Sequence, residues 1–448
     1  MVDNYLLSTQ YQGIKKIFSR PVRHIPFLAC ILNVFLFLSF QSRADDSPVM
    51  QEAINDPNIH TVQFSRAGTA QSNTYPIIQL GTRDGVSLSW DVLGTGSTIN
   101  YQYTIVHCDY DWHKSQMLQS DYLRGLYSDV VTTAGFSSAT YVKYQHYMVN
   151  LPSDNIRPKI SGNYVMIVYL DDPEKPVIVK RFYVYEKQVN IGGTAVRATD
   201  PQYRDGKHEI NFTINTNNLT LMDPLNDIKT VIKQNWRSDN EISNLKPTYV
   251  NNNSLIYDYQ EGNLFDAGNE FRMFDDRDLR YRGVGVRSLN YDSIWNVYLY
   301  PDEDRSYTVY TSVVDQDGNY VIVDPTDADA STTADYTKVH FKLSPAYTDD
   351  GSGSEIYVFG ALTDWKIEKR FRMDYSSRFG YECDVLLKQG VYDYEYVKVK
   401  DGKLDATEFE GNHWETEDNY TVFVYYRPPS ALGDLLVGVL HLNTGLGK

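Results

Sequence analysis

The residues best suited to chemistry are His107-Cys108-Asp109-Tyr110-Asp111-Trp112-His113. On a strand, alternate side chains share a face, so His107, Asp109, Asp111 and His113 would present two imidazoles and two carboxylates together. That donor set suits a transition metal. A strand sets its ligands in a line, however, and a metal needs them converging. The segment also follows a strand and carries turn residues. The residues therefore favour a structural strand-end loop, with Trp112 as a core or interface anchor. A second cluster spans residues 268–288, where Glu270, Asp275, Asp276 and Asp278 interleave with Arg272, Arg277, Arg280 and Arg282. Paired carboxylates can do acid–base work, but neighbouring guanidinium groups depress their pKa values and leave no poised proton donor. Arginine forks pair with carboxylates in fixed geometry, so the segment can tie itself into an ordered loop, with Phe271, Met273 and Phe274 anchoring it to a core. The alternative is a partner-binding surface, for which Arg272, Arg277, Arg280, Arg282 and Trp112 are the candidate contacts. Asp315-Gln316-Asp317-Gly318-Asn319 hints at a calcium loop. Counting from Asp315 puts Tyr320 and Thr326 where an EF-hand needs Gly and Glu, so it reads as a hairpin turn. The sequence has no G-x-S-x-G elbow, H-E-x-x-H helix, P-loop or dinucleotide fingerprint. No catalytic, cofactor-binding or metal residue is assigned, and no cofactor is expected.

The elements that must position these residues read as short strands. The 448 residues include 37 tyrosines, and aromatic and β-branched residues favour strands. Residues 87–92, 101–106, 164–170, 177–184, 208–214, 227–235, 291–300, 307–314 and 320–323 alternate or run apolar between Gly, Pro and Asp punctuation. No long amphipathic helix and no solenoid repeat appears. The fold class expected is all-β, as tandem immunoglobulin-like β-sandwich domains. The expected division is a signal peptide at 1–44, an N-terminal β-sandwich at 45–188, a middle one at 189–330, a C-terminal domain at 331–430, and a tail at 431–448. The tail is read as one more strand or a segment that docks elsewhere. The C-terminal domain carries Tyr357-Val358-Phe359-Gly360, Leu362-Thr363-Asp364-Trp365 and Gly390-Val391-Tyr392-Asp393-Tyr394-Glu395-Tyr396. It resembles the early-set immunoglobulin-like domain that accompanies glycogen-active enzymes. That raises a carbohydrate-binding alternative, although Trp365 and Trp414 read as packing residues.

Export and charge narrow the class. Lys15, Lys16, Arg20 and Arg23 precede an apolar run over 25–40, and Ser42-Arg43-Ala44 supplies the small residues of a cleavage site. Residues 1–44 hold five Lys/Arg and one Asp; removing them leaves 37 basic and 57 acidic residues, a formal net charge of −20. Such a surface repels phosphate backbones and anionic lipids, so nucleic acid is excluded as a partner and a basic protein surface is favoured. Cys108 and Cys383 remain, in different expected domains, with no C-x-x-C pair.

Several segments together carry one resemblance. They are Tyr103-Thr104-Ile105-Val106-His107-Cys108-Asp109 with Asp111-Trp112, then Asp121-Tyr122-Leu123-Arg124-Gly125 and Ser161-Gly162-Asn163-Tyr164. Gly268-Asn269-Glu270-Phe271-Arg272 and Phe274-Asp275 with Arg277, Leu279 and Arg280 follow, then Leu387-Lys388-Gln389-Gly390 and Glu415-Thr416-Glu417-Asp418-Asn419-Tyr420. In this order, over nearly the whole chain past residue 44, the pattern resembles the plug proteins of the type IX secretion system. The resemblance implies a periplasmic, non-enzymatic protein at the inner side of the outer membrane. It implies a partner, the giant SprA-type outer-membrane β-barrel translocon, whose periplasmic mouth such proteins close. It implies no small-molecule substrate, and membrane association only through that partner. A hydrolase with an unfamiliar site is the remaining rival, for which a pocket lined by strongly perturbed carboxylates would speak.

Overall fold

Val86–Leu93 shows how the strands form. Val86, Leu88, Trp90 and Val92 alternate along it and are all buried, as expected of a strand with one face on a core. The computed structural model describes residues 48–68, 74–94, 96–259, 261–327, 329–344, 353–376 and 380–445. The expected signal peptide lies outside the described residues. Nearly all regular structure is β, as expected, and among the described residues no helix is long and apolar enough to cross a membrane.

The first sandwich packs two sheets face to face. One orders Ile59–Arg66, Val86–Leu93, Tyr144–Leu151 and Thr133–Phe136. The other runs Ala53–Ile54, Ile178–Tyr185, Gly162–Tyr169, Gln102–Cys108 and Asp129–Val130, with Ile77–Gln79 added in parallel to Ile178–Tyr185. Trp90, Tyr101, Tyr147, Tyr164 and Phe182 fill the space between. Trp90 stacks on Tyr147 with ring centroids 5.5 Å apart.

The remaining strands do not follow the expected boundaries at 330/331 and 430/431. The middle sandwich pairs Asn190–Arg197, Lys207–Asn215, Ser254–Tyr257 and Tyr249–Asn251 in one sheet. Its second sheet is Ile242–Ser243, Ile228–Gln234, Asn419–Tyr426 and Leu435–Asn443, so the expected tail and the end of the expected C-terminal domain complete the middle core. Arg272–Asp275, Val286–Tyr291, Trp295–Leu299 and Tyr320–Ile322, expected in the middle domain, belong to the third sandwich with Tyr336–Leu343, Glu355–Phe359, Gly380–Lys388 and Gly390–Lys400. The third sandwich is thus inserted between two halves of the middle one. The physical reason is that a polar stretch marks a surface crossing, not a domain end. Here the stretch at 324–335 returns the chain to Trp295–Leu299, against which Tyr336–Leu343 pairs in parallel. Residues 307–314, expected as a strand, lie in no sheet.

Buried polar and aromatic contacts join the sandwiches. Asp91 and Lys388, each almost wholly buried, meet at 2.7 Å, and Tyr336 donates its hydroxyl to Asp91 at 2.8 Å. This joins the first sandwich to the third. Tyr183 stacks on Phe423 at 4.4 Å, and Tyr425 donates to Asn163 at 2.8 Å, joining the first to the middle.

Candidate functional site

The candidate metal ligands go to separate tasks. His107 is buried, its Nδ1 2.9 Å from the Ser115 hydroxyl. Its ring lies over Gly162 (φ +149°), where a Cβ would come within 2.1 Å of Nε2, so only glycine admits it. Burial pushes the imidazole down to about 4. Asp109 accepts from the Asp434 N–H and pairs with Arg427 at 2.7 Å, while Asp111 pairs with His113 at 3.0 Å. Among the described residues no group of three His, Cys, Asp or Glu is arranged to hold a metal. Cys108 and Cys383 are free and buried, and burial pushes each thiol up to about 12.

Trp112 and Arg272, two of the five candidate partner contacts, are interior. Trp112 turns the strand end in the left-handed region at φ +69° and is buried, with the Arg181 guanidinium 4.3 Å from its ring centroid and Tyr183 edge-on. It anchors the seam between the first and middle sandwiches. Arg272 reaches Glu410 and Asp302, each at 3.0 Å, with its own side chain only 8% exposed. Its pairing in the core leaves it no free face for a partner. The other three lie at the surface. Arg277 pairs with Asp275 at 2.7 Å, Arg280 with Asp278 at 2.8 Å, and Arg282 donates to the Arg287 carbonyl. Asp276 is buried and accepts from the Gly390 N–H at 2.9 Å and the Thr337 hydroxyl at 2.8 Å. Phe274 stacks on Tyr392 at 5.0 Å. The charged loop is therefore tied together, and to the third core, from within.

A cluster that the sequence reading missed forms around the turn at 315–319. Asp393 accepts the backbone N–H groups of Gln316 and Gly318. Asp315 accepts from Phe271 N–H, and Asp317 from the Asn419 amide. Gly318 has φ +77°, and a Cβ there would lie 2.4 Å from Trp365 and 2.8 Å from Phe271. Burial, with the other carboxylates adding to it, pushes Asp317 and Asp393 up to about 7. Burial likewise raises Glu270 to about 7. Glu395, on the wall of an adjoining cleft of about 920 Å³, is pushed by burial up to about 8 despite Arg237 at 3.1 Å. Arg237 divides its charge between Glu395 and Asp239. Raised carboxylates in a cleft are what the hydrolase reading asked for. Asp315, Asp317 and Asp393 are instead engaged in holding backbone and amide N–H groups. The only signal in the sequence was Asp315 and Asp317 on one turn; Asp393 arrives from the distant strand Gly390–Lys400, and Glu270 from the connection before Arg272–Asp275. Trp365 packs against Phe359 and Phe271, and Trp414 lies under Arg197 at 4.4 Å, so both aromatic rings of the carbohydrate reading have neighbours.

Comparison with known proteins bears on the first sandwich above all. The family model for the first domain of the type 9 secretion system plug protein matches residues 59–186. A hypothetical protein from Parabacteroides merdae ATCC 43184, with a crystal structure at 2.30 Å resolution, is 32% identical. It superposes with a TM-score of 0.83 over 89% of this chain and 100% of its own. The chain belongs to the type IX secretion system plug family. No curated protein matches it. The plug-domain match runs from the first long strand, Ile59–Arg66, through Ile178–Tyr185. It therefore includes Trp112 and the His107 loop.

Proposed function

We propose that this chain is a periplasmic gating subunit that binds and seals the periplasmic opening of the outer-membrane type IX translocon, a giant β-barrel. The plug-family match over the first sandwich carries this reading. Three further features support it. The sandwiches are joined by buried ion pairs and stacked rings, and a stopper must resist the push of cargo without rearranging. The chain past residue 44 has a formal net charge of −20, which favours a basic rim on the partner. The densest acidic and aromatic clusters are committed to internal contacts, which favours a binding protein over an enzyme.

The test is affinity isolation. The tagged full-length chain, expressed in its source bacterium, is recovered from detergent-solubilised outer membranes. The translocon barrel is expected to come along in stoichiometric amount. Recovery without the barrel, from membranes that contain it, contradicts the proposal.

A further inference from the structure

Residues 307–314, Tyr-Thr-Val-Tyr-Thr-Ser-Val-Val, have the composition of a sheet strand and belong to no sheet. All but Ser312 are β-branched or aromatic, and none is charged. Tyr307 is 97% exposed, and Val309 and Val314 are each 90% exposed. Among the described residues, the backbone N–H groups of Val309, Thr311, Val313 and Val314 have no hydrogen-bond partner. An exposed, uncharged, strand-prone run with free backbone groups is a template for pairing with another chain, and soluble proteins normally blunt such runs with charge or proline.

The segment is nevertheless held in place. On its N-terminal side, the Thr308 N–H donates to the Arg305 carbonyl, and Arg305 is pinned to Glu410 at 2.6 Å. In its middle, the Tyr310 hydroxyl donates to the Glu270 carboxylate, and its ring lies against His413. On its C-terminal side, Asp315 accepts from Phe271 N–H and Gln316 N–H donates to Asp393. Such anchoring lowers the ordering cost of any partner that pairs with it.

Charge decides what that partner can be. Glu303 and Asp304 precede the segment, and the chain past residue 44 has a formal net charge of −20, whereas Asp302, Asp315 and Asp317 are held by internal partners. Arg305, the one cation nearby in sequence, is taken by Glu410. A second copy of this chain would bring the same net charge and the same Glu303 and Asp304 to the contact, and like charges repel. We infer that residues 307–314 are a docking strand, which adds edge to edge to an extended, basic-flanked segment of the translocon barrel. The inference rests on the plug reading above and assigns the surface through which that binding occurs.

The test uses the full chain and the detergent-solubilised translocon barrel as probe. Val313→Pro removes a backbone N–H that no group among the described residues uses, so the melting temperature is expected to stay at the wild-type value. Barrel capture is expected to fall at least about tenfold. A double variant, Val309→Ser with Val314→Ser, removes apolar contact but leaves the backbone free, and is expected to weaken capture in the same direction. Full capture by both variants overturns the inference and leaves the plug reading standing. Failure of the wild type to capture the barrel overturns both. If Val313→Pro unfolds the chain, the serine pair decides alone: reduced capture supports the inference, undiminished capture overturns it. A wild-type dimer in solution that Val313→Pro converts to monomer overturns it too, because the occupant is then a second copy.

Discussion

Arg272 and Arg280 stand eight positions apart in one charged loop, yet their environments are opposite. Arg272 is buried between Glu410 and Asp302, whereas Arg280 pairs with Asp278 in solvent. Arg272→Ala would remove a buried cation shared by two carboxylates and leave Glu410 with Arg305 alone, and the expected cost is about 3 kcal/mol, seen as a clear fall in melting temperature. Arg280→Ala is expected to leave that temperature unchanged, since exposed ion pairs contribute little. Equal melts for the two variants would contradict this assignment. The alternation of signs in the sequence indicated that the loop pairs with itself. It could not indicate that Arg272 instead reaches Glu410, because that contact depends on how two distant strands align.

The carboxylates around the 315–319 turn make a pH prediction at the same scale. Burial holds Asp317 and Asp393 at about 7, against 3.8 for the free side chain. The folded chain therefore binds more protons than the unfolded chain between these values, and these groups lose stabilising effect as pH rises from about 4 to about 7. His60, His107 and His441, each lowered by burial, act in the opposite direction as pH falls below 6.5. Asp393→Asn keeps an oxygen to accept the Gln316 and Gly318 N–H groups but cannot ionise. It is expected to raise stability by about 1–2 kcal/mol at pH 8 and to change it little at pH 5. Thermal melts at the two pH values check this. An equal loss at both would show that the carboxylate is needed in its charged form.

The turn and the strands set the next scale. Gly318 holds a left-handed conformation with Trp365 and Phe271 where a Cβ would go. Gly318→Ala is expected to destabilise the chain by about 2 kcal/mol or more, by combining backbone strain with overpacking. An unchanged denaturation midpoint would contradict that packing. Most strands were legible from alternation alone: Lys207–Asn215, Ile228–Gln234 and Ile178–Tyr185 fall within two residues of their expected spans. Residues 307–314 were not, for a physical reason. Side-chain propensity favours a strand, but a strand also needs a neighbour to take its backbone groups, and among the described residues none is offered. Domain boundaries were misread at the same scale, since the polar stretch at 324–335 crosses between strands of one sandwich.

At the scale of the whole molecule, the first sandwich matches the plug domain, and the third is inserted between the two halves of the middle one. An insertion leaves through one strand and returns through another, so the third sandwich is tethered twice. Asp91–Lys388 and Tyr183–Phe423 then lock both to the first. The insertion was invisible in the sequence, because pairing between Ile228–Gln234 and Asn419–Tyr426 spans almost two hundred residues with no local signal. The acidic balance, the all-β class and the family resemblance were all readable there. The central claim is that this body closes a pore. It is tested most directly by single-channel conductance of the purified translocon barrel in a planar bilayer, with the purified full-length chain added to the periplasmic side. The account predicts that the open-pore current falls to baseline, dependent on protein concentration and reversed by washing at high salt. A current that stays at the open-pore level while the chain is bound would contradict it.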